Sequence, residues 1–411
     1  MPGAKRRPAD QLRLFAAQPG RGPSAEAAPQ DAGERDRALA LALATWFGLE
    51  ARDLPWRRER EPAAGDAESV QPAREPYAVW LSEIMLQQTR VDTVVPYFQR
   101  FLARFPDVRA LAAAELDDVL HLWSGLGYYR RARQLHATAR EVTERHGGVF
   151  PAEAASLRAL PGIGAYTAGA IASIAYGRRE PLVDGNVARV LARLESLEEP
   201  IKSPAAVRRL WAIAARLLPE EQPGRFNEAL MELGATVCTP RDPRCDACPL
   251  ERFCVARARG LERELPVVSS KAAVPVVEAV ALVLVDPEGK VLFARRREGG
   301  LFGGLWEPPM VEGSASVVAA RPHLAALGLG LSSGSGRGRL REVGRVTHVL
   351  SHRRMEITVA AGRGATPAAE LAAPYEKAAW LDPEAPGVGV STLARKVIAA
   401  AAAGAASDEK G

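Results

Sequence analysis

All four cysteines of this 411-residue chain lie between positions 238 and 254. Their spacing is C-x6-C-x2-C-x5-C, which brings Cys238, Cys245, Cys248 and Cys254 within reach of one metal centre. Structural zinc sites usually pair two C-x2-4-C knuckles across a longer gap, whereas here a single C-x2-C pair lies between two lone cysteines. The spacing therefore favours a [4Fe-4S] cluster, with zinc as the alternative.

The period of the apolar residues changes once along the chain and indicates two domains. Residues 1–33 show no sustained period and predict a disordered tail. Over 34–255 apolar residues recur at helical spacing, which predicts an all-α domain that ends with the cysteine loop at 238–254. A linker at 256–274 then precedes β-branched segments over 275–404, which predict a smaller α+β domain.

Composition and charge exclude some classes of protein. The formal net charge of +5 is compatible with a polyanionic partner but is weak support on its own. No apolar run is long enough to cross a bilayer, and the N-terminus lacks the apolar segment of a secretory signal. Clustered cysteines favour a metal site in a reducing compartment over a disulfide framework. We therefore expect a cytoplasmic monomer without a membrane partner.

The segment LPGIGAYTAGAIASIAYG, residues 160–177, is the second strong pattern. Gly162 and Gly164 predict a tight hairpin between two helices, the second beginning at Ala165. The free N–H groups at that helix start suit a DNA phosphate. Downstream, Asp184 in LVDGNVARV precedes a helical run and predicts an N-cap. A capping carboxylate is held rigidly, which a catalytic carboxylate also requires.

The hairpin, the aspartate and the cysteine loop together resemble the helix-hairpin-helix DNA glycosylases of the endonuclease III superfamily. Lyases of that superfamily carry a nucleophilic lysine where this chain has Tyr166. Glu83 in VWLSEIMLQQTRV, LPWR at 54–57 and GLGYYRRAR at 125–133 resemble the adenine DNA glycosylase family instead. Taken alone, Glu83 would fit the first turn of an amphipathic helix.

The C-terminal domain resembles the Nudix-like domain of the same family. RRREGGLFGGLWEPP at 295–309 and VLSHRRMEI at 349–357 carry the resemblance, and the second implies a lesion-reading loop with Ser351 and His352. Leu350 stands where family members often have phenylalanine. The glutamate-rich helix that holds magnesium in Nudix hydrolases is missing from the sequence, so we expect no phosphohydrolase activity.

The resemblance implies monofunctional base excision repair by a cytoplasmic, nucleoid-associated protein. Such an enzyme flips out and hydrolyses adenine mispaired with 8-oxoguanine or guanine in double-stranded DNA. Glu83 would protonate adenine and Asp184 would stabilise the oxocarbenium-like sugar, with Tyr166 and Asn186 orienting Asp184 and the sugar. Further positions match the family's adenine pocket and DNA contacts: Arg52, Trp56, Arg57, Leu86, Gln88, Thr89, Leu126, Gly127, Tyr128, Gly162, Gly164 and Glu228.

A short motif stands out in the predicted tail. Gln11, Leu12, Arg13, Leu14 and Phe15 resemble the pentapeptide that binds the bacterial sliding clamp. Apolar anchors in a disordered segment suit docking into a preformed groove, although a chance match of five residues is the alternative.

Two rival functions remain open on the sequence. The first is an endonuclease III-type lyase that acts on oxidised pyrimidines, which Tyr166 and Glu83 oppose. The second is a non-catalytic DNA-binding or redox-signalling iron–sulfur protein, which the presence of both Glu83 and Asp184 opposes.

Overall fold

The structure, a computed structural model, describes residues 32–58, 74–269, 274–326, 329–331, 340–363, 365–367 and 371–408. The predicted tail lies outside these residues except for Ala32 and Gly33, and so does the motif at 11–15. Within the described chain, none of the helices combines the length and apolarity that a bilayer span needs.

The N-terminal part is helical, as predicted, and packs around one hydrophobic core. Its largest buried side chains include Trp80, Phe98, Phe101, Phe105 and Trp123. The helices are α1 (Ala32–Glu50), α2 (Pro76–Leu86), α3 (Val91–Arg104), α4 (Val108–Ala112), α5 (Leu116–Leu122), α6 (Arg130–His146), α7 (Ala154–Arg158), α8 (Ala165–Ala170), α9 (Gly185–Leu194), α10 (Pro204–Leu217), α11 (Pro223–Thr236) and α12 (Val255–Arg259).

The predicted helix-hairpin-helix is formed by α7, the PGIG turn and α8. Helix α8 begins at Ala165 as expected and continues as a π-helical turn over Ile171–Ala175. Gly162 has φ of 73°, and a Cβ there would lie 2.8 Å from the Cβ of Gln134. This position therefore requires glycine both for its backbone and for its close approach to α6. Gly162 and Gly164 are exposed at the tip of the hairpin.

The C-terminal part is a mixed sheet between two helices, which confirms the α+β prediction. Strand β1 lies at the centre, parallel to β7 and antiparallel to β2, in the order β3-β2-β1-β7-β6; β4 pairs with β1 and β9 with β2. The elements are β1 (Val276–Val285), β2 (Val291–Arg296), β3 (Trp306–Glu307), β4 (Met310–Glu312), α13 (Val317–Ala326), β5 (Leu329–Leu331), β6 (Arg341–Val349), β7 (Arg354–Arg363), β8 (Ala365–Pro367), β9 (Tyr375–Leu381) and α14 (Thr392–Asp408).

Both faces of β1 are buried because its side chains are apolar on both sides. Ala279, Ala281 and Val283 pack toward α14, whereas Val280 and Leu282 pack on the opposite face with α13. A central strand that is covered by a helix on each face has a continuous run of apolar residues in its sequence, not alternating apolar and polar residues.

The two domains meet at the loop before α6. The hydroxyl of Ser124 donates to the carbonyl of Val390 at 2.6 Å and accepts from its amide at 3.1 Å. The hydroxyl of Tyr129 donates to the same carbonyl at 2.9 Å. Leu305 of the C-terminal domain also packs into the helical core. The C-terminal domain thus contacts residues on both sides of Tyr128 along the chain.

Candidate active site

Glu83 is a buried carboxyl group in the last turn of α2, not in the first turn of an amphipathic helix. Nearly all of α2 is buried, and Glu83 is only 5% exposed. Its Oε2 accepts a hydrogen bond from the hydroxyl of Tyr166, which also lies 3.3 Å from the Sδ of Met231. Burial raises the pKa of Glu83 to about 7, and the negative charges of Asp184 and Glu228 act in the same direction.

Asp184 caps α9, as predicted, and its carboxylate is held by N–H donors. Oδ1 accepts from the amide of Val187 at 2.7 Å and Oδ2 accepts from Nδ2 of Asn186 at 3.2 Å. Burial raises the pKa of Asp184, whereas these hydrogen bonds and the charge of Arg189 oppose that shift. The expected contact of Asn186 is present, but the hydroxyl of Tyr166 bonds to Glu83 instead of Asp184.

Asn186 is itself held in place by Arg189. The guanidinium donates from Nη2 to Oδ1 of Asn186 at 2.9 Å and to the carbonyl of Gly234 at 2.7 Å. Its Nε donates to the carbonyl of Cys238 at 2.8 Å. One buried side chain therefore joins the support of Asp184 to the start of the cysteine loop.

Two glutamates of α11 bind the arginines expected at the adenine pocket. Glu232 accepts two hydrogen bonds from the guanidinium of Arg52, at 2.6 and 2.9 Å, one from the Arg52 amide at 3.2 Å and one from Arg57 at 2.9 Å. Glu228 accepts from Arg74 at 2.5 Å and lies 3.5 Å from Arg57. Glu228 was predicted from the sequence as a site residue, whereas Glu232 was not. The spacing of four residues, which puts both on one helix face, could have indicated it.

Trp56 and Leu86 have different surroundings within the expected pocket set. Trp56 is buried in the core, with its ring edge-on to Phe98 at 5.4 Å between centroids. Leu86 is partly buried and ends α2. Leu86 therefore lies next to the exposed loop that follows this helix, whereas Trp56 supports the site from within.

Gln88 and Tyr128, two of the predicted DNA contacts, lie in two separate loops. Both residues are exposed, Tyr128 by 45%, and both have positive φ, 58° and 49°. Thr89 follows Gln88 and donates its amide to the carbonyl of Leu86 at 3.2 Å. Beside Tyr128, Leu126 is buried and Gly127 has φ of 74°. Gln88 and Tyr128 are thus the exposed tips of their loops, and both have the left-handed backbone conformation that residues other than glycine rarely adopt.

Ser351 and His352 lie exposed in the turn between β6 and β7. The turn is closed by the amide of Leu350, which donates to the carbonyl of Arg353 at 2.8 Å. Leu350 packs against the core of the sheet domain. The two predicted lesion-reading side chains are therefore free to contact a partner, while their neighbour anchors the turn.

The four cysteines are close enough to influence one another electrostatically. Burial raises the pKa of Cys248 to about 12, and the other three cysteines add to that shift. No three His, Cys, Asp or Glu side chains among the described residues are arranged to hold one metal ion. The observation that favours a [4Fe-4S] cluster over zinc is therefore the spacing of the four cysteines in the sequence.

Buried Arg193 lies directly behind the cysteine loop. Its Nη1 lies 3.2 Å from the Sγ of Cys238 and donates to the carbonyl of Thr239 at 2.8 Å. Nη2 donates to the carbonyl of Pro240 at 3.0 Å and Nε to that of Leu265 at 2.8 Å. The guanidinium of Arg193 therefore joins α9 to the first residues of the cysteine loop and to the chain that follows α12.

Known proteins resemble this chain over both of its domains. Residues 81–215 match the model of the HhH-GPD superfamily base excision DNA repair proteins, and residues 280–400 match the NUDIX domain. The adenine DNA glycosylase of Homo sapiens is 38% identical in an alignment of 360 residues that covers 77% of this chain and 65% of that protein. The adenine DNA glycosylase of Rattus norvegicus is 36% identical in an alignment of 406 residues that covers 88% of this chain and 77% of that protein.

Among solved structures, a thermostable thymine-DNA glycosylase aligns with a TM-score of 0.47 and 25% identity, covering 55% of this chain and 98% of its own. The match to the rat protein is spread over most of both chains and includes both domains. This chain therefore belongs to the adenine DNA glycosylase family.

Proposed function

We propose that this chain hydrolyses adenine from double-stranded DNA where adenine is mispaired with 8-oxoguanine or guanine. The contrast between two neighbouring carboxyl groups carries the proposal. Burial raises the pKa of Glu83 to about 7, so this group holds a proton near neutral pH and can act as a general acid. Burial also raises the pKa of Asp184, but hydrogen bonds from Val187 and Asn186 and the charge of Arg189 oppose that shift, so Asp184 is the better suited of the two to act as a carboxylate.

These roles define a hydrolytic sequence. Glu83 donates its proton to N7 of the flipped adenine, the glycosidic bond breaks, and the base leaves neutral. Asp184 stabilises the oxocarbenium-like sugar that remains. Water then adds to the sugar and gives a proton back to Glu83. In this sequence Tyr166 orients Glu83, whereas Asn186 orients Asp184.

The residue at position 166 supports hydrolysis rather than lyase chemistry. A lyase needs an amine that attacks the sugar and forms a Schiff base. The hydroxyl of Tyr166 is instead committed to Glu83, and no lysine occurs between positions 5 and 202. We therefore propose a monofunctional enzyme that leaves the DNA strand intact.

Three exposed elements are suited to bind and distort the duplex. The hairpin with Gly162 and Gly164 offers backbone N–H groups to a phosphate. Gln88 and Tyr128 are placed to fill the gap left by the flipped adenine, whose eversion costs a few kcal/mol. Ser351 and His352 offer a hydroxyl and an imidazole to 8-oxoguanine on the other strand.

The cysteine loop is suited to a [4Fe-4S] cluster bound by Cys238, Cys245, Cys248 and Cys254. When bound, the cluster would cross-link the loop rather than act on the base. Arg193 and Arg189 connect that loop to α9, whose first turn is capped by Asp184. Four iron and four sulfide ions per chain are expected, whereas one zinc ion per chain would contradict the assignment.

Binding to a sliding clamp through residues 11–15 stays a hypothesis, because that motif lies outside the described residues. Deletion of residues 1–20 should abolish clamp binding without changing adenine release. Unchanged affinity for the clamp would refute it.

The decisive experiment measures adenine release from duplexes that contain one A:8-oxoguanine, A:G or A:T pair. Release from the first two, with an unbroken strand before alkali treatment, is expected. Strand cleavage at oxidised pyrimidines, trapped by borohydride, would support a lyase instead. DNA binding without release of any base would support a non-catalytic protein.

A further inference from the structure

Arg131 connects the two loops that carry Gln88 and Tyr128. It is the second residue of α6 and is 8% exposed. Its terminal nitrogens donate to acceptors at the end of α2 and in the loop before α6. Nη1 donates to the carbonyls of Ile84 at 2.8 Å, Met85 at 2.9 Å and Gln87 at 2.5 Å, and Nη2 donates to Oγ1 of Thr89 at 3.0 Å and to the carbonyls of Gly127 at 3.2 Å and Leu126 at 3.4 Å.

These acceptors flank both exposed tips. Gln87 and Thr89 are the neighbours of Gln88, and Gly127 is the residue before Tyr128. The guanidinium also lies 5.5 Å from the ring centre of Tyr128 and 5.3 Å from that of Trp123. One planar group thus determines the distance between two loops that are about 40 residues apart in sequence.

The positive charge of Arg131 is balanced by dipoles rather than by a carboxylate. No carboxylate of the described residues forms an ion pair with it, and burial lowers its pKa to about 10. A buried charge without a counter-ion is costly unless hydrogen bonds replace its hydration. The dipoles of five carbonyl groups and one hydroxyl group serve that purpose for the two terminal nitrogens, whereas the buried Nε has no hydrogen-bond partner among the described residues. All six acceptors lie at the end of α2 or in the two loops.

We propose that Arg131 is a positioning residue that makes the Gln88 and Tyr128 loops enter the duplex as one rigid unit when adenine is everted. This inference rests on the proposed function. It assigns base eversion, rather than glycosidic bond cleavage, as the step that depends on Arg131. Slower eversion delays adenine release as well, so the unfolding midpoint separates this role from a purely structural one, which would act through the fraction of folded protein.

Arg131→Lys tests the idea, because lysine keeps the charge but has a single nitrogen that cannot reach both loops. Eversion is followed by the fluorescence of 2-aminopurine placed opposite 8-oxoguanine, in a Glu83→Gln background. Adenine release is measured separately in chains that retain Glu83. We expect Arg131→Lys to slow both the fluorescence rise and adenine release at least tenfold, with an unchanged pH profile and an unfolding midpoint close to that of the parent.

Two further variants guard against a folding artefact. Thr89→Val removes one acceptor without changing side-chain volume and should slow eversion about threefold. Arg179→Met removes an arginine that also donates to backbone carbonyls, those of Ala215 and Leu218, but lies outside the two loops. It should leave eversion unchanged.

The outcomes separate the two proposals. A wild-type chain that neither everts 2-aminopurine nor releases adenine overturns the proposed function and the role of Arg131 with it. Normal eversion by folded Arg131→Lys and Thr89→Val, in a protein whose wild type is active, overturns only the role of Arg131.

Discussion

Each domain contains a buried glutamate that accepts a hydrogen bond from a tyrosine, yet the two are suited to different tasks. Glu83 in the helical domain accepts from Tyr166, and Glu307 in the sheet domain accepts from Tyr375 at 2.9 Å. Glu307 also accepts from Arg296 at 2.6 Å. Among the described residues no guanidinium hydrogen-bonds Glu83. Removing one partner of a buried ion pair destabilises the fold, whereas a buried carboxyl group without an arginine partner is suited to exchange a proton near neutral pH.

The difference between Glu83 and Glu307 is not a difference between the two domains, because Glu232 of the helical domain is also bound by arginine. It is as buried as Glu307 and lies in the same helix as Glu228, but two arginines bind it and lower its pKa. Burial alone raises the pKa of a carboxyl group, and a neighbouring arginine reverses the shift. At Glu232 two arginines outweigh burial, whereas at Glu307 burial still raises the pKa although Arg296 opposes the shift. Glu83 differs from both because no arginine of the described residues donates a hydrogen bond to it.

The largest expected effect is on the reaction of the helical domain. Glu83→Gln keeps side-chain shape but removes the transferable proton, so single-turnover adenine release should fall by about 10³-fold. The variant should still bind an A:8-oxoguanine duplex in a filter-binding assay. Glu307→Gln is the matched control and should release adenine at the wild-type rate per folded molecule. Normal turnover by Glu83→Gln would rule out its role as acid.

The converse effect is expected on stability. Glu307→Gln leaves Arg296 buried beside a neutral amide, and loss of one partner of a buried ion pair should cost about 3 kcal/mol of unfolding free energy. Glu83→Gln should not lower stability at pH 8, because it replaces a carboxylate that burial disfavours. Urea titrations at pH 8 would measure both. Equal losses in the two variants would contradict the distinction between them.

The third effect is on pH dependence. Glu83 must be protonated to act as an acid, so adenine release should fall about tenfold per pH unit above a limit near the pKa of about 7. The hydroxyl of Tyr166 favours the carboxylate, and its removal in Tyr166→Phe should move this limit to higher pH. Single-turnover rates between pH 5 and 9 would test this. A limit that moves to lower pH would show that Tyr166 has another role.

The smallest effect is expected at the exposed turn of the sheet domain. Combining Ser351→Ala with His352→Ala removes a hydroxyl and an imidazole, so the preference for 8-oxoguanine over guanine should fall by about fivefold to tenfold, the value of roughly one hydrogen bond. Release of adenine opposite guanine serves as the internal control and should change little. Unchanged discrimination would place lesion recognition elsewhere.

Much of the fold could be predicted because its signals are local. The PGIG turn, the start of α8 at Ala165 and the cap at Asp184 follow from neighbouring residues, and the structure confirms them. The change of apolar period separated a helical half from a sheet half correctly. Glu83 was located by resemblance, but its helix was misjudged: α2 is buried nearly all round, so its pattern is not amphipathic and gave no sign of where the helix ends.

The amino-acid sequence by itself determined the four-cysteine loop, the hairpin, the two candidate carboxyl groups and the missing lysine at position 166. Only the tertiary structure decided which side chains form hydrogen bonds with residues distant in sequence. Tyr166 and Glu83 are 83 residues apart, Arg52 and Glu232 are 180 apart, and Ser124 and Val390 are 266 apart. Turns and caps are set by the nearest few residues, whereas the partners of a buried charge are set by which helices pack together. The pKa of Glu83 and the role of Arg131 depend on those partners, and no local pattern encodes them.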